Sequence, residues 1–230
     1  MAARKRTRGQ QTGRGRAANG GDGDTVVLVH GLWMTGFEFG VLRNRLVQDG
    51  FRVEIFPYAS MHGDVASIAA DLRRRVLETP SERVHIVGHS LGGAFVYRAL
   101  VDCEAPLSGN AVLLGSPLNG SRAASGVMRW PWLRPMLGAH VTSELVAPCG
   151  RRWDGRTGLG AIAGTRPVGT GRFFARFDEE NDGTVAVSET VIPGLTDHLV
   201  LPHSHIGMLF AQDVAAQVTA FVRTGRFQRE

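Results

Sequence analysis

The run Gly88-His89-Ser90-Leu91-Gly92-Gly93 sets one hydroxyl among glycines. It follows the apolar stretch 84–87 and precedes a helical pattern at 91–101. A serine hydroxyl is a weak nucleophile until a base and pre-set donors assist it. On a very tight strand-to-helix turn, Ser90 Oγ would stand at the carboxyl edge of a sheet, where open α/β sheets bind ligands. Gly88 and Gly92 are read as leaving room for the strained turn, and Gly93 as letting the helix close on the strand. The helix N-terminus beneath favours negative charge developing on a bound acyl group. The plainer reading is a glycine-rich turn whose serine only caps a helix. The strand directly before it, and the carboxylates and histidines further on, weigh against that reading.

The elements around this turn follow from hydrophobic period. Thr25–Val29 is a short β-branched run stopped by His30-Gly31. Residues 37–48 carry Phe37, Val41, Leu42 and Leu46 at helical spacing, and 51–56 alternates before Pro57. Val65, Ile68, Ala69, Leu72 and Val76 mark a helix over 64–78. Strands are expected at 84–87, 111–114, 159–163 and 198–201, with a closing helix at about 206–222. Apolar runs alternating with amphipathic helices mean βα units. The expectation is an α/β fold with a mostly parallel sheet of about six strands and helices on both faces. The stretch 117–158, with Trp130, Pro131 and Trp132, fits this rhythm poorly. It is read as a short excursion over the active site in place of a large cap domain.

With its strand and helix in place, Val84–Gly93 resembles the nucleophile elbow of the α/β-hydrolase superfamily, in its lipase and esterase branch. Residues 25–222 follow that fold's order of elements, with strands corresponding to its first two missing. The segment Leu114–Ser121 resembles bacterial triacylglycerol lipases and GPI-inositol-deacylase-like proteins, which implies lipid-like or acyl substrates.

The resemblance implies roles for further residues. The turn His30-Gly31-Leu32-Trp33 would supply one oxyanion donor from Leu32 N–H, with the second from Leu91 N–H. His30 is not taken as the base, because in hydrolases of this chain order the base comes last. Leu32, Trp33, Met34 and Phe37 are candidates for an acyl pocket, with Trp130 and Trp132, although core packing explains any of the first four equally well. The acid should lie after the strand at 159–163, where Asp178, Glu179, Glu180, Asp182 and Asp197 are available. Asn181-Asp182-Gly183-Thr184-Val185 resembles the family's acid turn, so Asp182 is preferred; an ordinary Asp-Gly turn is the alternative. Asp178, Glu180, Asp182, Gly183 and Glu189 also come close to a calcium-loop pattern. Its third position is Glu, however, and its flanks do not read as paired helices. For the base, His198 would sit at the wrong end of the last strand. His203 and His205 both lie past it. His205, followed by Gly207, resembles the family's final histidine turn and is preferred. A His-x-His metal pair lacks a carboxylate or Cys at ligand spacing, and no metal or cofactor is expected.

Composition bounds the rest. The chain has 230 residues, 43% hydrophobic and 20% charged, enough for one core. No run of 18 apolar residues is present, and Cys103 and Cys149 make neither a disulfide framework nor metal spacing. Six of the 26 basic residues, Arg4, Lys5, Arg6, Arg8, Arg14 and Arg16, lie in the first 20 positions with no acid among them. That leaves 20 basic against 21 acidic in the remainder, a net of −1, so the basic character belongs to a tail. Residues 1–23 are expected to be a disordered basic tail before a hydrolase domain at 24–230. The tail is read as a solubilising extension in preference to a nucleic-acid or anionic-membrane contact, since no aromatics are interleaved for stacking. It lacks the apolar region of a secretory signal, so a cytoplasmic location is expected. The function expected from these features is hydrolysis of small-molecule carboxylic esters through an acyl-enzyme. A thioesterase or acyltransferase on the same three residues is the enzymic alternative, and an anionic-partner binding module using the tail the non-enzymic one.

Overall fold

The computed structural model describes residues 23–60, 64–103, 106–130, 153–169, 171 and 175–229. Six strands form one sheet: β1 Asp24–Val29, β2 Arg52–Ile55, β3 Arg83–His89, β4 Ala111–Leu114, β5 Leu159–Gly164 and β6 Asp197–Leu201. Their order is β2-β1-β3-β4-β5-β6, and every neighbouring pair is parallel. The expected strands are all present. Among the described residues the α-helices are α1 Gly40–Gln48, α2 Val65–Glu78, α3 Leu91–Val101, α4 Arg122–Met128 and α5 Gln212–Thr224.

A parallel sheet needs both faces covered, because its crossovers place helices on them. Alternation along each strand divides the apolar residues between two layers. Val27, Val29, Ile86, Leu113 and Ala161 pack with Leu72 and Val76 of α2 and Phe95 of α3. Val26, Leu28, Val87, Val112 and Ile162 pack on the other face with Leu42 and Leu46 of α1 and Val218 and Phe221 of α5. Gly160 has no side chain because the Phe221 ring lies there; a Cβ would come within 2.6 Å of it. Asp64 starts α2 by accepting the Ser67 amide at 3.0 Å, and Gly225, at φ 74°, ends α5.

The strand order decides where a ligand can sit. From β1 the chain steps outward to β2, then returns to the other side of β1 as β3. The loops leaving β1 and β3 therefore diverge, and they open a crevice at the carboxyl edge between these strands. Those loops are 30–36 and the Ser90 turn.

Two expectations change. Residues 37–48 are not one helix: Phe37–Phe39 is a 3-10 turn, and α1 begins at Gly40. The tighter turn shifts the phase, so Phe39, Leu42 and Leu46 face the core while Phe37 is 91% exposed. The closing helix begins at Gln212, after a separate 3-10 turn Gly207–Leu209. Ala211 is extended (ψ 136°), and the Phe210 carbonyl turns out to accept Arg45 Nη1 at 2.8 Å. Of the expected excursion, 131–152 with Trp132 and Cys149 lies outside the described residues, as does the tail 1–22. Among the described residues no helix is long and apolar enough to cross a membrane.

Candidate active site

Ser90 sits between the last residue of β3 and the first of α3, with φ 54° and ψ −124°. Among the described non-glycine residues only Trp33 shares a positive φ. Holding a serine there costs of order 1–3 kcal/mol, which surrounding structure must over-determine. It does so from two sides: the Ser90 amide donates to Leu114 of β4 at 2.9 Å, and the Ser90 carbonyl accepts the Gly93 amide at 3.0 Å. Each glycine answers a close approach. A Cβ on Gly88 would lie 2.6 Å from Gly93 Cα, one on Gly92 2.2 Å from the Val29 carbonyl, and one on Gly93 1.9 Å from Ser116 Oγ. Gly93 thus makes room for the loop after β4, and α3 closes on β3 where Gly88 meets Gly93.

The carboxyl ends of β5 and β6 bring two further side chains to this turn. After β5, Asn181 and Ala186 form an antiparallel bridge, and the Asp182 amide donates to Val185 at 3.0 Å. Within this turn Asp182 is fully buried. Its Oδ1 accepts the amides of Thr184 (2.9 Å) and Val185 (2.7 Å). Its Oδ2 lies 2.7 Å from His205 Nδ1. After β6, His205 is 6% exposed, and its amide donates to the Asp182 carbonyl at 2.9 Å. A carboxylate only accepts, so the proton of the neutral imidazole sits on Nδ1 and leaves Nε2 bare. That bare nitrogen is 2.9 Å from Ser90 Oγ and can accept its proton. Ser90, His205 and Asp182 therefore form one continuous hydrogen-bonded chain.

The other candidates are engaged elsewhere. His203 meets both carboxylate oxygens of Asp213 at 2.8 Å, and His198 meets Thr190 Oγ1 at 2.8 Å. Asp197 holds Arg229, whose guanidinium with the Phe227 amide keeps that carboxyl low despite burial. Asp178, Glu179 and Glu180 are exposed. His30 is buried, stacked on Tyr58 at 4.3 Å between ring centres, and Tyr58 Oη donates to its carbonyl. Burial pushes the Tyr58 phenol up. The calcium-like spacing does not gather its carboxylates. Asp182 is turned to His205, and Glu189 is spent on two amides: Arg122, the first residue of α4, at 2.7 Å and Ala186 at 2.9 Å. Burial raises the Glu189 carboxyl, partly offset by those two donors.

A cavity of about 270 Å³ opens beside Ser90. Leu32, Trp33 and Met34, three of the pocket candidates, line it together with Leu91. Phe37 does not, for the reason of phase given above, and Trp130, past the end of α4 and 54% exposed, is not among its lining residues either. The wall that the sequence did not disclose is α4: Ala123, Ala124 and Val127, with Pro117 and Ser121 leading into it. Thr184, Val185 and Ile206 flank the acid and the base. His89, inside the serine motif itself, is also part of the wall. The amides of Leu32 and Leu91 have no hydrogen-bond partner among the described residues.

A profile of the alpha/beta hydrolase family matches residues 26–225. A search of curated protein sequences gave no match. Among solved structures, the mature form of a Bacillus licheniformis lipase superposes with a TM-score of 0.69 at 18% identity, over 89% of this chain and 92% of that one. A metagenomic carboxyl esterase gives 0.64 at 21% identity, over 87% and 70%. A Pyrococcus furiosus esterase gives 0.58 at 18% identity, over 89% and 82%.

Proposed function

Since the chain belongs to the alpha/beta hydrolase family, we propose that it cleaves carboxylic esters as a serine hydrolase, through an acyl-enzyme. The observation that carries this reading is the unbroken chain from Ser90 Oγ through His205 to buried Asp182, at 2.9 and 2.7 Å. Ser90 Oγ attacks the ester carbonyl while His205 Nε2 takes its proton. Asp182 keeps the imidazole in the required tautomer and stabilises the charged ring. The Leu32 and Leu91 amides receive the oxyanion; one such donor contributes about 3 kcal/mol to the transition state. His205 returns the proton to the leaving alcohol, and water, activated in the same way, releases the acid. The mainly apolar wall of Leu32, Met34, Ala123, Ala124 and Val127 suits a hydrocarbon acyl group. The lipase and the two esterases on which the chain superposes agree in kind with this reading.

The test is a chromogenic ester panel of short to long acyl chains, run beside fluorophosphonate labelling, on wild type and Ser90→Ala. Wild type should hydrolyse members of the panel and take one label. Ser90→Ala should lose both, with a drop on the order of 10⁶ in kcat. Hydrolysis by Ser90→Ala at the wild-type rate would overturn the reading.

A further inference from the structure

His89 is used by no step above. It ends β3, next in the chain to Ser90, and is 1% exposed. Its Nε2 lies 2.9 Å from the His205 carbonyl oxygen. A carbonyl can only accept, so the proton is on Nε2 and Nδ1 is bare. Yet Nδ1 is buried with no hydrogen-bond partner among the described residues, close to where a Cβ would stand on Gly31, 3.3 Å away. A buried acceptor left unpaired needs a reason. An apolar side chain would fill the same space without one, but could not hold the His205 carbonyl.

The backbone of His205 is gripped on both sides. Its amide donates to the Asp182 carbonyl at 2.9 Å, and its carbonyl accepts from His89. One grip ties the base to the acid and the other ties it to the residue beside the nucleophile. Resting on the hydrolase reading, we propose that His89 is a positioning residue, whose Nε2–H fixes the His205 loop to the Ser90 turn and so sets the separation of base and nucleophile. The ring acts as a neutral strut. Burial first, then the nearby His205 charge, lower its pKa to about 3. Its ring centre is 4.7 Å from that of His205. Because it stays neutral, it adds no second positive charge beside the imidazolium that forms during turnover. Because Nδ1 is sealed, the residue works through His205 and not on the ester.

The experiment compares His89→Leu, which fills the space without a donor, with His89→Gln, whose amide nitrogen reaches about as far as Nε2. Steady-state kinetics are run on one chromogenic ester, with active sites titrated by fluorophosphonate and melting temperature recorded. His89→Leu should lower kcat by about 10²-fold, the scale of a misplaced catalytic group, with KM within about twofold because leucine fills the place of the ring in the cavity wall. His89→Gln should recover most of that loss. A His89→Leu enzyme with wild-type kcat, a change in KM alone, or equal losses in the two variants would overturn the inference. Should His89→Leu not fold, His89→Asn replaces it. That amide is too short to reach the carbonyl, and wild-type kcat there would also overturn the inference. An active wild type with an unaffected variant removes this inference alone. A wild type that neither hydrolyses esters nor takes the label removes the hydrolase reading as well.

Discussion

Asp182→Asn changes one atom, and the surrounding donors decide what that atom does. The two amides of Thr184 and Val185 point at Oδ1, at 2.9 and 2.7 Å. The asparagine must keep its oxygen there, which turns its NH₂ towards His205 Nδ1. Imidazole then accepts at Nδ1 and carries its proton on Nε2, so it faces Ser90 Oγ as a donor and cannot act as base. The productive tautomer requires a flipped amide, with NH₂ set against two N–H groups. Leaving those two donors unpaired costs about 1–3 kcal/mol each, so about 2–6 kcal/mol in all. At about 1.4 kcal/mol per tenfold, the flipped state is populated between about 1 in 30 and 1 in 10⁴. Loss of kcat should fall in that span, towards its upper end, since the same change in a Ser-His-Asp site costs about 10⁴. The assay is kcat on a chromogenic ester with sites titrated, at a pH where wild type is on its plateau. The folded state keeps both amide bonds, so melting should fall by only a few degrees, about 2–4 °C per kcal/mol at this length. A loss under tenfold would refute the reasoning, because the amide would then have to sit flipped at no cost.

His203→Ala should leave kcat within about threefold, because it removes only an exposed contact to Asp213 of the kind that contributes about 0–1 kcal/mol; kinetics on the same ester check this, and a dead variant would move the base to His203. Gly93→Ala drives a Cβ to 1.9 Å from Ser116 Oγ and 2.6 Å from its Cβ. It should lower stability by about 1–3 kcal/mol in denaturant titration, and adding Ser116→Gly should restore part of it. His89 gives a pH dependence of stability. Its folded pKa of about 3 lies below the ordinary 6.5, so as pH falls below 6.5 the unfolded chain takes up a proton that the folded chain refuses. Stability is therefore lost on acidification, by about 2 kcal/mol between pH 7 and 5. His89→Leu should flatten that decline in melts followed from pH 7 to 5, and an unchanged decline would contradict the neutral strut.

The sheet was legible because its inner strands β1, β3, β4 and β5 are buried on both faces and read as short apolar runs between helices. The Ser90 turn was legible because its glycines answer fixed backbone contacts. The sequence preference for Asp182 and His205 coincides with their meeting at the ends of β5 and β6, and His203 and His198 have other partners. What the sequence hid was α4. Arg122–Met128 reads Arg-Ala-Ala-Ser-Gly-Val-Met, with small residues where an amphipathic pattern would carry bulk, so periodicity has nothing to register. Small residues are what a cavity wall needs. Phe37 was misplaced because a count of apolar positions cannot see that a 3-10 turn precedes the helix and rotates its face. His89 was hidden by the motif itself, where its position counts as any residue.

Glu189 joins two parts that could have been separate. Its carboxylate holds the first amide of α4 and the amide of Ala186, which closes the turn around Asp182. The helix that sets the bore of the cavity is therefore moored to the turn that sets the acid. A laboratory evolution campaign that varied only 121–127 to admit bulkier acyl groups would pull on that mooring. Its winners should trade turnover for breadth. Variation at Trp33, rooted in the loop after β1, leaves that mooring untouched.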